Sequence, residues 1–593
     1  MHPLRPRRCD PVATLVVCRS NEDLMRWSFA PGITGNGRRW AAVTLWLSVC
    51  GCPQNTANPP AAPPTAVSDS VQFVDQAAAW NVKFQFENGE QAGLFAILET
   101  LGGGAGLFDY DRDGRTDIWC VGGGQFTGSP LHPVGRPSGI FRNRDGRFDA
   151  VASPAAITRP NHYQHGVAAA DFDHDGFVDA LVTGYGGLQL WHNEGDGTFI
   201  DVTREAGFDA DLSWSSSAAW GDLNEDRNLD LYVTHYVDWS RDKDPPCFTH
   251  GELREVCSPL VFEGVSDMIF ASDGAGRFRD STAEMGLAPG GKGMSALVAD
   301  LDLDGDVDIY VGNDTTPKFL YENVNGHMQE RGLISGASLS KQGAAEGSMG
   351  TDIGDFDLDG LPDLWVANFE DETFGLYKNL GAMQFNHVSD ETGLDRIGQA
   401  YVGWGVVFGD WNLDGDEDVF VSNGHVVRHA HKAPVKQLPV LMENLAGKQF
   451  RNVAHESGAY FRTAHPGRGA AASDLDLDGD LDLVVSHVNQ PVAVLENQGV
   501  SGGRSLTVEL TGTQSPRTAI GTVVHLISTQ SSQIRQWRGG GSFASTGDSR
   551  LLFGIPTGQT PVRLEIHWPS GLHETIPLDA TSRYVQIVEG GQH

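Results

Sequence analysis

The sequence predicts an all-β chain: a seven-bladed β-propeller followed by a small C-terminal β-sandwich-like domain. Three observations predict it. An Asp-rich stretch of nine residues recurs seven times, at spacings of 51 to 78 residues. A short run of β-branched and aromatic residues follows most copies, as in Leu231-Tyr-Val-Thr234. Glycine is frequent, at 73 of 593 residues, which suits tight turns and short strands. A repeat of this length holds about four strands of five to six residues with their turns, the content of one blade.

The amino terminus reads as an export signal. Arg38 and Arg39 precede the apolar run Ala41 to Val49. That run is too short to cross a bilayer, which takes about 20 apolar residues, but it matches the apolar core of a signal peptide. Val49-Cys50-Gly51-Cys52 resembles a lipobox, which implies a lipid on Cys52. Residues 1–52 are therefore assigned to the signal, starting at Met1 or Met25, with a plain secretory signal as the alternative. Residues 53–70, rich in Pro and Ala, read as a flexible tether. Beyond it, Cys120 lies in an apolar strand pattern. Cys247 and Cys257 flank a polar insertion and are expected to pair in an oxidising compartment, two free thiols being the alternative.

The propeller is assigned to residues 71–498. Its loops follow Asp-x-Asp/Asn-x-Asp-Gly-x-x-Asp, and positions 1, 3, 5 and 9 are the candidate metal ligands. They are Asp109, Asp111, Asp113 and Asp117 in the first loop, and Asp171, Asp173, Asp175 and Asp179 in the second. The third supplies Asp222, Asn224, Asp226 and Asp230, and the fourth Asp300, Asp302, Asp304 and Asp308. Asp355, Asp357, Asp359 and Asp363 follow, then Asp410, Asn412, Asp414 and Asp418, then Asp474, Asp476, Asp478 and Asp482. Alternating positions 1, 3 and 5 turn three carboxylates inward, the Gly at 6 permits a turn with positive φ, and Asp at 9 adds a carboxylate that can bind in bidentate fashion. Calcium, which takes six to eight hard oxygens, fits this set, with up to seven ions expected. Position 7 varies from Arg115 to Leu361, so its backbone carbonyl is the expected ligand there. The third loop is the weakest, because Arg227 replaces the Gly and Asn224 removes a charge.

The last repeat stops at Asn497 without its Phe-x-Asp strand, and an orphan copy, Val71-Gln-Phe73-Val-Asp75, precedes the first repeat. The orphan is expected to complete the last blade and shut the ring, limiting exposed strand edges. A net charge of −35 argues against nucleic acid as partner. Competing motifs fail on context. Gly286 to Gly293 approaches a phosphate loop but ends without Ser or Thr and runs into a strand-like segment. Gly102 to Gly106 is followed at once by an Asp loop. His425, His429 and His431 share one loop but lack a carboxylate or Cys to complete a transition-metal set, so a solvated loop is expected.

The Asp loops within repeats of this size resemble the FG-GAP/VCBS repeats of integrin α-type propellers. In the tail, residues 503–590, Gly521-Thr-Val-Val524, Arg538-Gly-Gly-Gly-Ser542, Leu551-Leu-Phe-Gly554 and Ile566-His-Trp-Pro-Ser-Gly571 resemble an ASPIC/UnbV domain. Together they are similar to the cartilage acidic protein 1-type family. The resemblance implies a calcium-binding, extracytoplasmic protein, here a cell-envelope lipoprotein held to the membrane by its N-terminal lipid alone. It implies binding or adhesion to a protein or glycan at a cell surface. A polysaccharide lyase or glycosidase on the same scaffold is the alternative, and would need an acid/base group that distant loops bring together.

Overall fold

Seven antiparallel sheets follow one another along the chain, each with four strands in sequence order save that a separate hairpin interrupts sheets 1 and 3, a distant strand joins sheet 4 as a fifth, and the last takes its fourth strand from the start of the ring. The computed structural model describes residues 71–151, 162–208, 212–249, 252–500 and 503–591. Residues 1–70, with the expected export signal, Cys52 and the expected tether, lie outside the described residues. Among those residues no helix is long and apolar enough to cross a membrane.

The first strands of sheets 1 to 7 are Ala105–Phe108, Tyr163–Ala170, Ser215–Gly221, Gly293–Ala299, Thr351–Gly354, Gly403–Gly409 and Gly467–Ser473. Each touches the next, and the seventh touches the first, so the sheets close a ring. Small residues dominate strands such as Ser-Ser-Ser-Ala-Ala-Trp-Gly of sheet 3, because strands converging on an axis leave no room for large ones. The second strands carry the apolar runs and are buried on both faces. Their side chains meet those of the neighbouring sheet: Ile118 and Phe141 of sheet 1 share a core with Val484 and Val494 of sheet 7. Each such side chain contributes roughly 1.5–3 kcal/mol when fully buried.

The orphan strand closes the ring. Phe73–Asp75 pairs antiparallel with Ala493–Asn497, setting Phe73 opposite Asn497. Every other sheet repeats that register, as in Asn193 opposite Phe199 and Asn444 opposite Phe450. Phe73 is buried and meets Trp411 edge-on at 5.9 Å and Phe461 at 5.6 Å.

The C-terminal region forms two sheets. Ser505–Thr511 lies between Leu551–Gly554 and Tyr584–Val588, and Val523–Ser528 between Ser532–Gln536 and Pro561–His567, with His573–Pro577 at the edge. Its core runs on into sheets 2 and 3, where Leu506, Phe553 and Ile566 join Trp220, Leu231 and Phe270. The segment after Gln536 enters the axis of the ring and touches the first strand of all seven sheets. Gly539–Gly540 adds a fifth strand to sheet 4, opposite Val298 and Leu297. Ser545 Oγ accepts from Ala105 N, the Ala544 carbonyl from Val167 N, and Ser217 Oγ from Ala544 N. Ser542 accepts from Thr351 N and donates to the Ala470 carbonyl, and Phe543 stands against Trp404 at 4.7 Å. Gly104 permits this approach: a Cβ there would lie 1.7 Å from the Ala544 oxygen. From the other end Ile97 and Leu98 join Phe543, Met294 and Met349 in one apolar cluster, so side chains fill the axis.

Phe73→Ala removes the anchor of the closing strand. The expected loss is about 3–5 kcal/mol in denaturant unfolding; a loss below about 1 kcal/mol would show that the strand does not hold the ring.

Candidate metal centres

The Asp loops join the first strand of each sheet to the second, so all seven lie at one end of the ring. They share one hydrogen-bond scheme. The position 1 carboxylate accepts from the backbone N–H at position 6 in every loop, at 2.7 to 3.0 Å. The scheme includes the third loop, where Arg227 adopts φ 74 and takes the conformation that Gly holds elsewhere. Its backbone therefore keeps the loop shape at the cost of local strain. Position 4 is also left-handed in all seven, from φ 55 at Leu358 to φ 63 at His174, and none of these residues is Gly.

Position 9 has a duty that spacing did not reveal. One oxygen of Asp179 accepts from Phe172 N and the other from Asn193 N on the third strand. The same two bonds recur in sheets 1, 3, 4, 5 and 7. In sheet 6 Asp418 keeps the third-strand bond, to Asn444 N. In six sheets both oxygens accept a hydrogen bond, so this carboxylate braces loop and third strand as well as standing among the candidate ligands.

The third-strand Asn is the residue that sequence reasoning missed. Asn193 Nδ2 donates to the Tyr110 carbonyl in the loop of sheet 1, at 2.7 Å. Asn323, Asn379, Asn444 and Asn497 reach likewise to Leu223, Leu301, Phe356 and Trp411 of the preceding sheet, and Asn143 reaches to Leu475 of sheet 7 across the closure. Only sheet 3, with Ser272, lacks the latch among the described residues. The signal was present as a recurrent Asn before a Gly turn, but a turn explains that pair without any contact between repeats.

Carboxylate oxygens of Asp109, Asp111 and Asp117 lie within 4.8 Å of one another, as do those of Asp171, Asp173 and Asp179, of Asp300, Asp302 and Asp304, and of Asp355, Asp357 and Asp359. Burial is the main cause that pushes Asp117 and Asp230 up to about 8 and Asp363 to about 9, and it holds Asp308, Asp418 and Asp482 well above the carboxylate range; neighbouring Asp charges add to it. Such groups resist ionisation unless a cation joins them. Asp111 Oδ1, Asp171 Oδ1, Asp357 Oδ1 and Asp480 Oδ1 are buried without a hydrogen-bond partner. Orphaned hard oxygens in groups of three fit a divalent cation.

The C-terminal domain lies against this end with a matching charge. Arg535 pairs with Glu417 at 3.1 Å, Arg538 with Asp352 at 2.5 Å, and Arg517 stands 3.4 Å from Asp171. Asp548, paired with Arg550, also accepts from Thr116 and Ser473 at 2.7 Å, tying the domain to sheets 1 and 7.

Other candidate groups are separated. His425 faces Glu370 at 3.3 Å, His429 pairs with Glu255 at 3.1 Å, and His431 meets Thr249. Lys292 donates to the Pro259 carbonyl and Gly293 opens the first strand of sheet 4, so no phosphate loop forms. Cys247 and Cys257 are joined in a disulfide, and Cys120 is a buried thiol.

Family models match the FG-GAP-like repeat at residues 109–182, 171–233, 300–366 and 355–421, and ASPIC and UnbV at 512–593. Cartilage acidic protein 1 of Mus musculus is 24% identical over 508 residues, covering 71% of this chain and 73% of the relative. The Homo sapiens protein of that name is 23% identical over 513 residues, with 71% of each covered. Among solved structures, an Agrocybe aegerita lectin that recognises non-reducing terminal N-acetylglucosamine aligns at 15% identity and TM-score 0.37, over 64% of this chain and 83% of the lectin. A V. cholerae biofilm matrix protein aligns at 10% identity and TM-score 0.26, over 86% of this chain and 63% of its own. The chain thus carries FG-GAP-like repeats ahead of an ASPIC and UnbV domain.

Asn444→Ala strands the Phe356 and Glu417 carbonyls. It should cost about 1–3 kcal/mol in calcium and in EDTA alike; a loss confined to one buffer would mean that the Asn acts through the ion and not as a latch.

Proposed function

We propose that this chain is a calcium-binding propeller that works outside the cytoplasm, anchored by a lipid on Cys52, and binds a protein or glycan at a cell surface. One observation carries the metal part: loops of one hydrogen-bond scheme bring three carboxylates within 4.8 Å of one another in sheets 1, 2, 4 and 5, and several of the buried loop oxygens lack a partner. The residues that would hold the ions are those at positions 1, 3 and 5, with the position 9 Asp bracing them. A bound calcium would supply charge compensation to carboxylates that burial and their neighbours make costly to ionise. Because the C-terminal domain lies against this end, the ions would be structural, and recognition would fall to the opposite end. There Arg428 joins Glu90 and, at 2.7 Å, Glu99, while the Arg428 and His429 amides donate to Glu255. An extracytoplasmic address is supported by the Cys247–Cys257 disulfide, which persists in oxidising compartments.

Two measurements test the reading. Asp302→Ala should remove one ion and lower the melting temperature by several degrees in calcium but not in EDTA; equal shifts in both buffers would contradict a metal role there. On arrays of glycans and cell-surface proteins, the calcium-loaded protein should bind a defined ligand, and Arg428→Ala should weaken that binding. Release of new reducing ends from a polysaccharide by the purified protein would overturn the binding role in favour of catalysis.

A further inference from the structure

The third strand of six sheets carries a charged or imidazole side chain just before the latch Asn; in sheet 3 that residue is Ala271. In sheets 4, 6 and 7 it is Glu322, Glu443 or Glu496, whose negative charge adds to that of Asp302, Asp414 and Asp476 while the carboxylates themselves bond Arg331, Arg451 and Gln76. The same three loops carry an extra Asp at position 7. In sheets 1 and 5 it is a cation: Arg142 pairs with Asp111 and lies 3.2 Å from Asp113, and Lys378 pairs with Asp357 and lies 2.9 Å from Asp359. These two loops already hold a positive charge of the protein's own among their carboxylates. In sheet 2 it is His192. Its Nε2 lies 2.9 Å from Asp173 Oδ2 and 3.8 Å from Asp175 Oδ2.

We infer that the second loop is a mixed carboxylate–imidazole site for a first-row transition-metal dication, distinct from the all-oxygen loops. The inference rests on the reading of the Asp loops as metal sites and narrows it. Donor atoms of Asp173, Asp175 and His192 lie within 4.8 Å of one another, as do those of Asp171, Asp173 and Asp179. Asp171 is 3% exposed, and its Oδ1 has no hydrogen-bond partner; its Oδ2 is taken by Gly176 N at 2.9 Å, with Arg517 3.4 Å away. His192 Nδ1 is also buried without a hydrogen-bond partner, and its ring stands edge-on to Phe172 at 6.1 Å. Calcium takes oxygen ligands, whereas an imidazole nitrogen beside carboxylates suits zinc, cobalt or manganese. No other sheet sets a His at this point.

The test uses the full chain purified without a histidine tag, stripped of metal, then dialysed against Co2+ in millimolar Ca2+. Visible absorption and metal analysis report the bound ions. The wild type should retain one Co2+ that calcium does not displace. His192→Ala should lose that ion and its absorption band with calcium content unchanged, and His192→Glu should exchange it for calcium. Retention of cobalt with the same spectrum in His192→Ala would overturn the assignment, as would a wild type that binds calcium but no cobalt. Binding of neither metal would overturn it together with the reading of the loops on which it rests.

Discussion

The carboxylate at the start of each second strand is the point on which the ring depends. It is buried, its oxygens are held by backbone N–H groups, and through the third-strand residue it couples one sheet's loop to that sheet's outer hairpin. The Asn side chain then extends the coupling to the preceding sheet, and at Asn143 it crosses the seam where the ring closes. A buried carboxylate is costly unless it is bonded and compensated. The hydrogen bonds are supplied by the fold, and in sheets 1 and 5 Arg142 and Lys378 add a positive charge of the protein's own.

Much of the architecture was legible in the sequence because it repeats. Seven Asp loops in register, and the orphan Phe73-Val-Asp75 before the first, sufficed to expect a closed ring. The structure pairs that strand where every other sheet pairs its own fourth strand. The Cys247 and Cys257 insertion also closes as expected. What stayed hidden depends on contacts between repeats or on backbone geometry that no residue type announces. The left-handed position 4 is occupied by Arg112, His174, Glu225 and four leucines, none of which signals positive φ. Arg227 looked like a defect in the third loop, yet the chain holds it in the glycine conformation. Arg142, His192 and Lys378 read as ordinary strand residues, since only the folded sheet turns them towards Asp residues about 20 to 30 positions earlier.

The tail is the second surprise. Its Gly-rich segment, noted in the sequence only as part of the ASPIC/UnbV resemblance, lies along the axis, where Gly104 and Gly539 leave room for close backbone approach. Small first-strand residues and small tail residues are thus two halves of one packing solution. The same domain sets three arginines, Arg517, Arg535 and Arg538, against an acidic face. Burial opposes ionisation of Asp548, yet Arg550 beside it holds the carboxyl below its ordinary range. The domain therefore docks on the end of the ring that carries the Asp loops.

The most direct test is to count ions on the folded, full-length protein by native mass spectrometry at millimolar calcium. The account predicts calcium in whole equivalents, with the loops of sheets 4, 6 and 7 filled first, since each adds a position 7 Asp and a third-strand Glu to the common set. A folded protein with no bound calcium would contradict it.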